Sequence, residues 1–525
     1  MKYSVDSKGM KYIDDYSVYK LGIPAMELME RAASALVDRL LHRIERSDRI
    51  LVVCGPGNNG GDGVAAARLL HLKGYVVAIT LLGEEAQCSA QMKAQLIKAE
   101  ELNIPFENCN KLPEYNIIID AIFGVGLTRE VTGSFEAAIR LINEGNHLVF
   151  AVDIPSGINA DNGKIMNVAV RADETITFGH CKHGLLLYPG TEYAGRVTVA
   201  DIGFPEEATI QARPDVFYYE ETDLRRLPAR RNYSNKGTYG RVLIIAGSKG
   251  AAGAAILSAR AAYRSGAGLV KILSSEHNRI ILQSQVPEAL FSSYDEEGLN
   301  VDEKLQKLMG DLDWATVIAV GPGLGMGTTA AELLETVLRK AKVPLLLDAD
   351  AINLLAKKLD QQTLEGKSTG VQERLHGLAE LLPQRTILTP HLLELSRLIG
   401  IPVVDITHNL IDTALQCSYN NNLIYVIKDA RTIVAGREGR YINVSGNPGM
   451  ATGGSGDVLT GMIAAFTAQG MEPYGAACLG VYVHGLSGDE AAKEKGTYSM
   501  MAGDIVDSVE KVLMSIEKYR SDFQI

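Results

Sequence analysis

The chain has 525 residues, 46% apolar and 22% charged, with a formal net charge of −11. That length exceeds one ordinary core, so two or more domains are expected, and the composition is that of a soluble globular protein. The acidic balance argues against a general nucleic-acid binder or a binder of anionic membranes, both of which need a basic surface. Phosphate ligands stay admissible, because glycine loops hold them through backbone N–H groups.

Cys54, Cys88, Cys109, Cys181, Cys417 and Cys478 are scattered and include no C-x-x-C pair. Neither a disulfide framework nor a zinc pattern is read, and small buried hydrophobes are the expected role. Met1–Met10 holds no apolar signal-type region, and no apolar run approaches the length that spans a bilayer. A cytoplasmic location is the default expectation.

Asp14–Leu41 carries Leu28, Ala32, Leu36 and Leu40 at helical spacing and predicts one helix. Ile50–Cys54 predicts a strand, Gly55–Gly63 a glycine loop, and Val64–Lys73 a helix, which is the outline of a phosphate cradle. The spacing is neither G-x-G-x-x-G nor a P-loop. Asn58, Asn59 and Asp62 are unusual in a plain turn, and an amide oxygen such as that of Asn59 can ligate a hard cation. Strands follow at Tyr75–Leu82, Asn116–Asp120, His147–Val152, Glu174–Phe178 and Arg196–Asp201, with helices at Ala86–Leu102 and Phe135–Glu144. In an open parallel sheet, ligands bind beyond the carboxyl ends of the strands, so Asn59, Asp120, Asp153 and Ser156 are expected to converge. Taken singly, Asp120 and Asp153 could each be a cap or turn acid. Lys182, in Gly-His-Cys-Lys-His-Gly, is a candidate acid/base or clamp, although a lone lysine is more often solvated.

These motifs resemble the N-terminal half of the bifunctional NAD(P)H-hydrate repair enzymes, over roughly Tyr12 to Phe204. The resemblance rests on Asn-Asn-Gly-Gly-Asp-Gly, Asp-Ala-Ile-Phe-Gly-Val-Gly-Leu, Val-Asp-Ile-Pro-Ser-Gly and Phe-Gly-His-Cys-Lys-His-Gly. It implies a Rossmann-like epimerase domain. Asn58, Asn59, Gly60, Gly61 and Asp62, with Gly124, Val125, Gly126, Leu127, Thr128, Arg129 and Glu130, would hold the hydrate. Asn59, Asp120 and Ser156 would bind K⁺. Asp153 would contact substrate and is a catalytic candidate, with Lys182 a second.

Pro205–Arg231 is mixed and charged, and the domain boundary is placed near Glu220, giving domains 1–219 and 220–525. The α/β alternation then resumes. Strands are predicted at Arg241–Ala246, Leu269–Leu273, Val317–Val320, Pro344–Leu347, Ile387–Leu388 and Leu423–Ile427, with an Ala-rich helix at Ala252–Ser265. Repeated βα units with polar strand ends indicate a second doubly wound sheet. Lys357–His376 is polar and is expected to be a surface excursion. Asn447–Thr460 holds Gly449, Gly453, Gly454 and Gly456, then Asp457, ahead of a helix predicted over Val458–Ala468. Free N–H groups at such a helix start face an anion. An acid there has a role if it takes a proton from a hydroxyl that attacks a phosphoryl group. On this stretch alone, a capping turn is the bland alternative.

The second half resembles the ADP-dependent NAD(P)H-hydrate dehydratase domain, which has a ribokinase-like fold, from about Ser234 to Val512. Lys-Gly-Thr-Tyr-Gly, Gly-Pro-Gly-Leu-Gly, Asp-Ala-Asp-Ala-Ile-Asn and Gly-Gly-Ser-Gly-Asp-Val-Leu-Thr-Gly carry it. The resemblance implies ADP on Lys428, Asp429, Ala430, Arg431, Thr432 and Gly456. It implies the hydrate near Ala254, Gly323, His391 and Asp457, with Asp457 catalytic. The family usually reads Thr-Pro-His-Pro-Gly-Glu where this chain has Thr-Pro-His-Leu-Leu-Glu394, a departure at the turn after His391. Mg²⁺ is expected from the phosphate chemistry, and family members assemble as homo-oligomers. Together the halves imply repair of NADHX and NADPHX, the hydrated nicotinamide nucleotides, with ADP as phosphoryl donor. A small-metabolite kinase with a nucleotide-binding N-terminal module stays open, as does a non-enzymatic first half.

Overall fold

The computed structural model describes residues 1–294, 301–364, 370–419 and 421–521. It divides into two compact units, Lys2–Val216 and Phe217–Ile525 with Met1.

In the first unit the strands are β1 (Lys2–Val5), β2 (Arg49–Cys54), β3 (Val76–Leu81), β4 (Ile117–Ala121), β5 (Leu148–Val152), β6 (Glu174–Phe178), β7 (Cys181–Lys182) and β8 (Arg196–Ala200). A six-stranded sheet runs β3-β2-β4-β5-β6-β8, and the pairs along it are parallel. Its central strands are almost wholly apolar and buried, as a sheet covered on both faces requires. β1 pairs with β7 in parallel through Ser4–Cys181 and Val5–Lys182.

Two expectations in this unit need correction. The helix expected over Asp14–Leu41 is two helices, Ser7–Tyr19 and Ala25–Leu40. Gly22, at φ +74°, and Pro24 part them, since proline donates no N–H and fixes its own φ. The glycine loop before Val64 is itself helical, because the helix runs Asn58–Leu72. Its glycines permit close packing: a Cβ on Gly60 would lie 1.9 Å from the Gly55 carbonyl oxygen, and one on Gly63 2.5 Å from Ala121 Cβ.

The second unit begins within β9 (Val216–Tyr218). It holds β10 (Arg241–Ile245), β11 (Leu269–Ser274), β12 (Leu290–Ser293), β13 (Val317–Val320), β14 (Leu345–Leu347), β15 (Ile387–Leu388), β16 (Ile424–Ile427), β17 (Ile433–Gly436) and β18 (Gly439–Ile442). The order is β12-β11-β10-β13-β14-β15-β16-β17-β18, parallel through β16 and closed by antiparallel β17 and β18. Helices Ala252–Arg264 and Ser455–Ala468 pack closely, since a Cβ on Gly461 would lie 2.1 Å from the Ser258 carbonyl oxygen. The excursion expected over Lys357–His376 is instead largely helical. Helix Asp350–Leu364 runs through its start, helix Val371–Leu381 through its end, and Leu359 and Leu375 are buried. Residues 365–369 lie outside the described residues. Among the described residues no helix is long and apolar enough to cross a membrane.

Candidate active sites

In the first unit the residues beyond the ends of β2, β4 and β5 meet. Asp120, the last residue but one of β4, is fully buried. Its Oδ2 accepts from Ser156 N at 2.7 Å, and its Oδ1 accepts from the Ser156 hydroxyl at 2.6 Å and Ile122 N at 3.2 Å. Burial pushes the Asp120 carboxyl up to about 6, against the opposing pull of the Ser156 hydrogen bonds. The Ser156 hydroxyl oxygen accepts from Phe123 N at 2.8 Å, and Asn59 Nδ2 donates to the Phe123 carbonyl at 3.1 Å. Asn59, Asp120 and Ser156 are therefore joined around the Phe123 backbone. A buried carboxylate amid amide, hydroxyl and carbonyl oxygens is a donor set that fits a hard monovalent cation.

Asp153 follows β5 directly. At φ +66° it is one of few non-glycine residues in the left-handed region, a conformation that costs about 1–3 kcal/mol and collects at functional sites. Its Oδ1 accepts from the Thr177 hydroxyl at 3.0 Å, from Phe178 N at 3.1 Å, and from the Lys182 ammonium. Lys182 is fully buried, not solvated, and also donates to Thr177 Oγ1 at 2.9 Å and the Phe178 carbonyl at 3.0 Å. The pair sits in the wall of a cavity of about 930 Å³.

Asn58, Asn59, Asp62, the Gly124–Arg129 turn, Asp153 and Lys182 all line that cavity. Gly60 and Gly61 do not. They face inward, and a Cβ on Gly61 would meet Met29 Cε at 2.6 Å. Glu130 is exposed and lies outside the wall. Helix Ser7–Tyr19 supplies Lys8, Met10, Lys11, Asp14 and Asp15 to the wall, none of them read as a site residue from the sequence. The only signal was the Asp14-Asp15 doublet ahead of an apolar helix. Burial, then Asp15, raises the Asp14 carboxyl. Burial, then Asp153 and Asp14, raises the Asp62 carboxyl well above the usual range, opposed by Lys182.

The second unit holds another Asp–Lys pair. Lys428 Nζ donates to Asp348 Oδ1 at 2.7 Å, and the Thr460 hydroxyl donates to Asp348 Oδ2 at 2.7 Å. Asp348 is buried, although the sequence marked it only as part of a motif. Helix Ser455–Ala468 begins at the glycines, so Gly456 and Asp457 lie in its first turn rather than ahead of it. Its N-cap Gly454 has φ +92°, which glycine adopts without strain. A Cβ on Gly456 would stand 3.3 Å from Lys428 Nζ. Burial pushes the Asp457 carboxyl up to about 7, with Asp348 and Asp350 adding and Lys428 opposing. Its main-chain carbonyl accepts from the Ser258 hydroxyl at 2.9 Å.

The turn Asp429–Thr432 joins β16 to β17, with Asp429 and Ala430 exposed and Arg431 and Thr432 half-buried. Ala254 and Gly323 are neighbours, since a Cβ on Gly323 would lie 3.1 Å from Ala254 Cβ. His391 caps helix Leu392–Ile399: its Nδ1 accepts from Leu393 N and Glu394 N at 3.2 Å, and Glu394 Oε2 accepts from His391 N at 2.9 Å. The Leu392-Leu393 departure thus sits in the first turn of a helix that His391 closes. His484 is buried, its Nε2 lies 3.3 Å from Ser455 Oγ, and burial holds its ring down at about 4. Nothing in the sequence had singled it out. Among the described residues no group of three or more His, Cys, Asp or Glu is disposed to hold a metal ion.

Fold and sites define a two-domain α/β enzyme with an aspartate–lysine pair at strand ends in each domain, one partner of each pair buried. Residues 242–511 match the family described as NAD(P)H-hydrate dehydratase, and residues 25–184 match the YjeF-related protein N-terminus. The bifunctional NAD(P)H-hydrate repair enzyme Nnr of Moorella thermoacetica is 35% identical, the match covering 98% of this chain and 97% of that protein. The Escherichia coli enzyme of the same name is 33% identical over 94% of this chain and 90% of its own. A ribokinase-like superfamily protein from Enterococcus faecalis is similar at 29% identity and a TM-score of 0.49, over 57% of this chain and 96% of that one. The chain belongs to the family of bifunctional NAD(P)H-hydrate repair enzymes.

Proposed function

We propose that the first domain interconverts the R and S hydrates of NADH and NADPH, and that the second dehydrates the S form with ADP as phosphoryl donor. A ring-carbon hydroxyl is a poor leaving group, and phosphorylation makes it a good one. In the second domain Asp457 takes the proton of the hydrate hydroxyl as that oxygen attacks the β-phosphorus of ADP. The P–O bond to AMP breaks, and the N–H groups of the Gly453–Gly456 turn and the Lys428 ammonium receive the charge on the transferring group. The phosphorylated oxygen then leaves as inorganic phosphate while the ring nitrogen lone pair restores the nicotinamide double bond. The observation that carries this reading is Asp457 itself, an acid in the first turn of a glycine-started helix, poised near neutrality and facing Lys428.

Asp429–Thr432 would carry ADP, and Ala254, Gly323 and His391 the hydrate. Asn59, Asp120 and Ser156 would hold K⁺, which neutralises the buried carboxylate and fixes the loops after β2, β4 and β5. Mg²⁺ would enter with the ADP phosphates, since the residues near Asp457 do not form a metal cage. The expected cytoplasmic location and homo-oligomeric assembly complete the proposal, the latter measurable by light scattering. The full-length family match favours this reading over a small-metabolite kinase.

The test is recovery of NADH absorbance from mixed R and S hydrates with ADP and Mg²⁺. Full recovery with wild type and none with Asp457→Asn is expected. Recovery that halts when the S form is spent would remove the epimerase half, and no recovery with ADP or ATP would remove the dehydratase half.

A further inference from the structure

The first cavity holds two carboxyls in opposite circumstances. Asp153 receives three donors on Oδ1, one of them the Lys182 ammonium. Its Oδ2 receives none from the described residues. Asp62 lies on helix Asn58–Leu72, in the same wall, and its carboxyl makes no hydrogen bond to any described residue. Asp153 and Asp14 face Asp62 as like charges, while Lys182 is engaged by Asp153, Thr177 and Phe178. Such surroundings favour the neutral acid. A carboxyl crowded by donors beside one that meets none is the geometry of a base and an acid in one site.

We propose that Asp62 is the proton donor of the epimerase reaction and Asp153 its proton acceptor. The inference rests on the epimerase reading of this domain. The hydrate carries its hydroxyl on a ring carbon bonded to the ring nitrogen. Asp62 gives its proton to that oxygen, the C–O bond breaks, and the nitrogen lone pair forms C=N⁺ as water departs. A solvent water then adds to the opposite face. The new C–O bond forms, the C=N π electrons return to nitrogen, and Asp153 takes the surplus proton. One proton leaves Asp62 and one reaches Asp153, and the return reaction runs the two roles backwards. No redox partner is needed.

The experiment follows interconversion of purified R and S hydrates by chromatography, with ADP omitted so that the second domain is silent. Asp62→Asn removes the acidic proton with little change of shape, and a general acid contributes roughly 10²–10⁴-fold. Expected is a fall in kcat of that size with KM little changed, partly recovered in Asp62→Glu. A raised KM with kcat intact would make Asp62 a binding residue only and overturn the proposal, as would wild-type kinetics in Asp62→Asn. Loss in both Asp62→Asn and Asp62→Glu together with a lowered unfolding transition would assign Asp62 to structure and also overturn it. Absence of interconversion by wild type would instead overturn the epimerase reading itself.

Discussion

Lys428 is aimed by Asp348: its ammonium lies 2.7 Å from Asp348 Oδ1, while the Thr460 hydroxyl occupies Oδ2 at 2.7 Å. The lysine therefore has one geometry, and that geometry brings it under the glycine turn at Gly456. Removing one partner of a buried ion pair costs about 3–5 kcal/mol. Asp348→Ala is expected to lower the urea midpoint of unfolding accordingly and to abolish ADP-dependent dehydration. Asp348→Asn, which keeps one hydrogen-bond acceptor, should lose less stability but as much activity. A variant with the wild-type rate would show that Lys428 needs no aiming.

Gly456 offers a cleaner separation of fold from function. The nearest atom to an added Cβ is Lys428 Nζ, the end of a flexible side chain, and the backbone there is helical. Gly456→Ala is expected to fold with an unchanged or slightly raised melting temperature, since alanine is favoured over glycine in helices by up to about 1 kcal/mol. Its KM for ADP should rise, because the added methyl occupies the approach to the lysine. A calorimetric scan and an ADP titration of the dehydratase rate test the two halves of this expectation.

Asp457 links activity to pH in one direction and stability in the other. As the base, it works only when ionised, so the dehydratase rate should climb with pH through about 7. Its carboxyl sits higher in the folded chain than the ordinary unfolded value of about 3.9. The unfolded chain therefore ionises first, and folding stability declines from about pH 4 until the folded group ionises near 7. Asp348, Asp350 and Lys428 are the charged groups that face it. Asp457→Asn is expected to be inactive yet to melt higher than wild type above pH 7, and to match it near pH 4. Equal melting curves at pH 8 would contradict this.

Ser156 ties Asp120 to the Phe123 amide. Ser156→Ala leaves Phe123 N without its acceptor and Asp120 Oδ1 with only the longer bond from Ile122 N, a loss of about 1–3 kcal/mol. If the cluster holds K⁺, wild type should melt higher in K⁺ than in a bulky organic cation at equal ionic strength, and Ser156→Ala should lose that increment. The same increment in both proteins would place the ion elsewhere.

The parallel strands were legible because each is a short, wholly apolar run ending in polar or glycine-rich sequence, and Glu174–Phe178 and Val317–Val320 fall where the pattern put them. The starts of two helices were not. Asn58–Gly63 and Ser455–Asp457 read as loops because glycine weakens a helix, yet both are helical in the fold, where close approach of neighbours outweighs propensity. The β17–β18 hairpin around Arg437 and Glu438 went unread, lacking a strong turn pair. Pairings between distant residues leave no local trace: Asp348 and Lys428 are 80 residues apart, and helix Ser7–Tyr19 meets the first cavity only in three dimensions. Motifs could nominate Asp120, Asp153, Ser156, Lys182, Lys428 and Asp457, but not which of them pair, nor Asp14 and Asp348 as their neighbours.

His391 has a further consequence, for hydrogen-bond polarity. Because Nδ1 accepts from two backbone amides of its own helix, the ring is fixed as the Nε2–H tautomer. Protonating Nδ1 would cost both cap bonds, and burial together with Lys428 already disfavours the cation. Nε2 lies 3.2 Å from Glu394 Oε1, so the ring edge presents its one N–H donor beside a carboxylate. A ligand reaching this edge is read for an acceptor, such as a carboxamide or phosphate oxygen. The helix that follows His391 thus sets which chemical group the histidine can recognise.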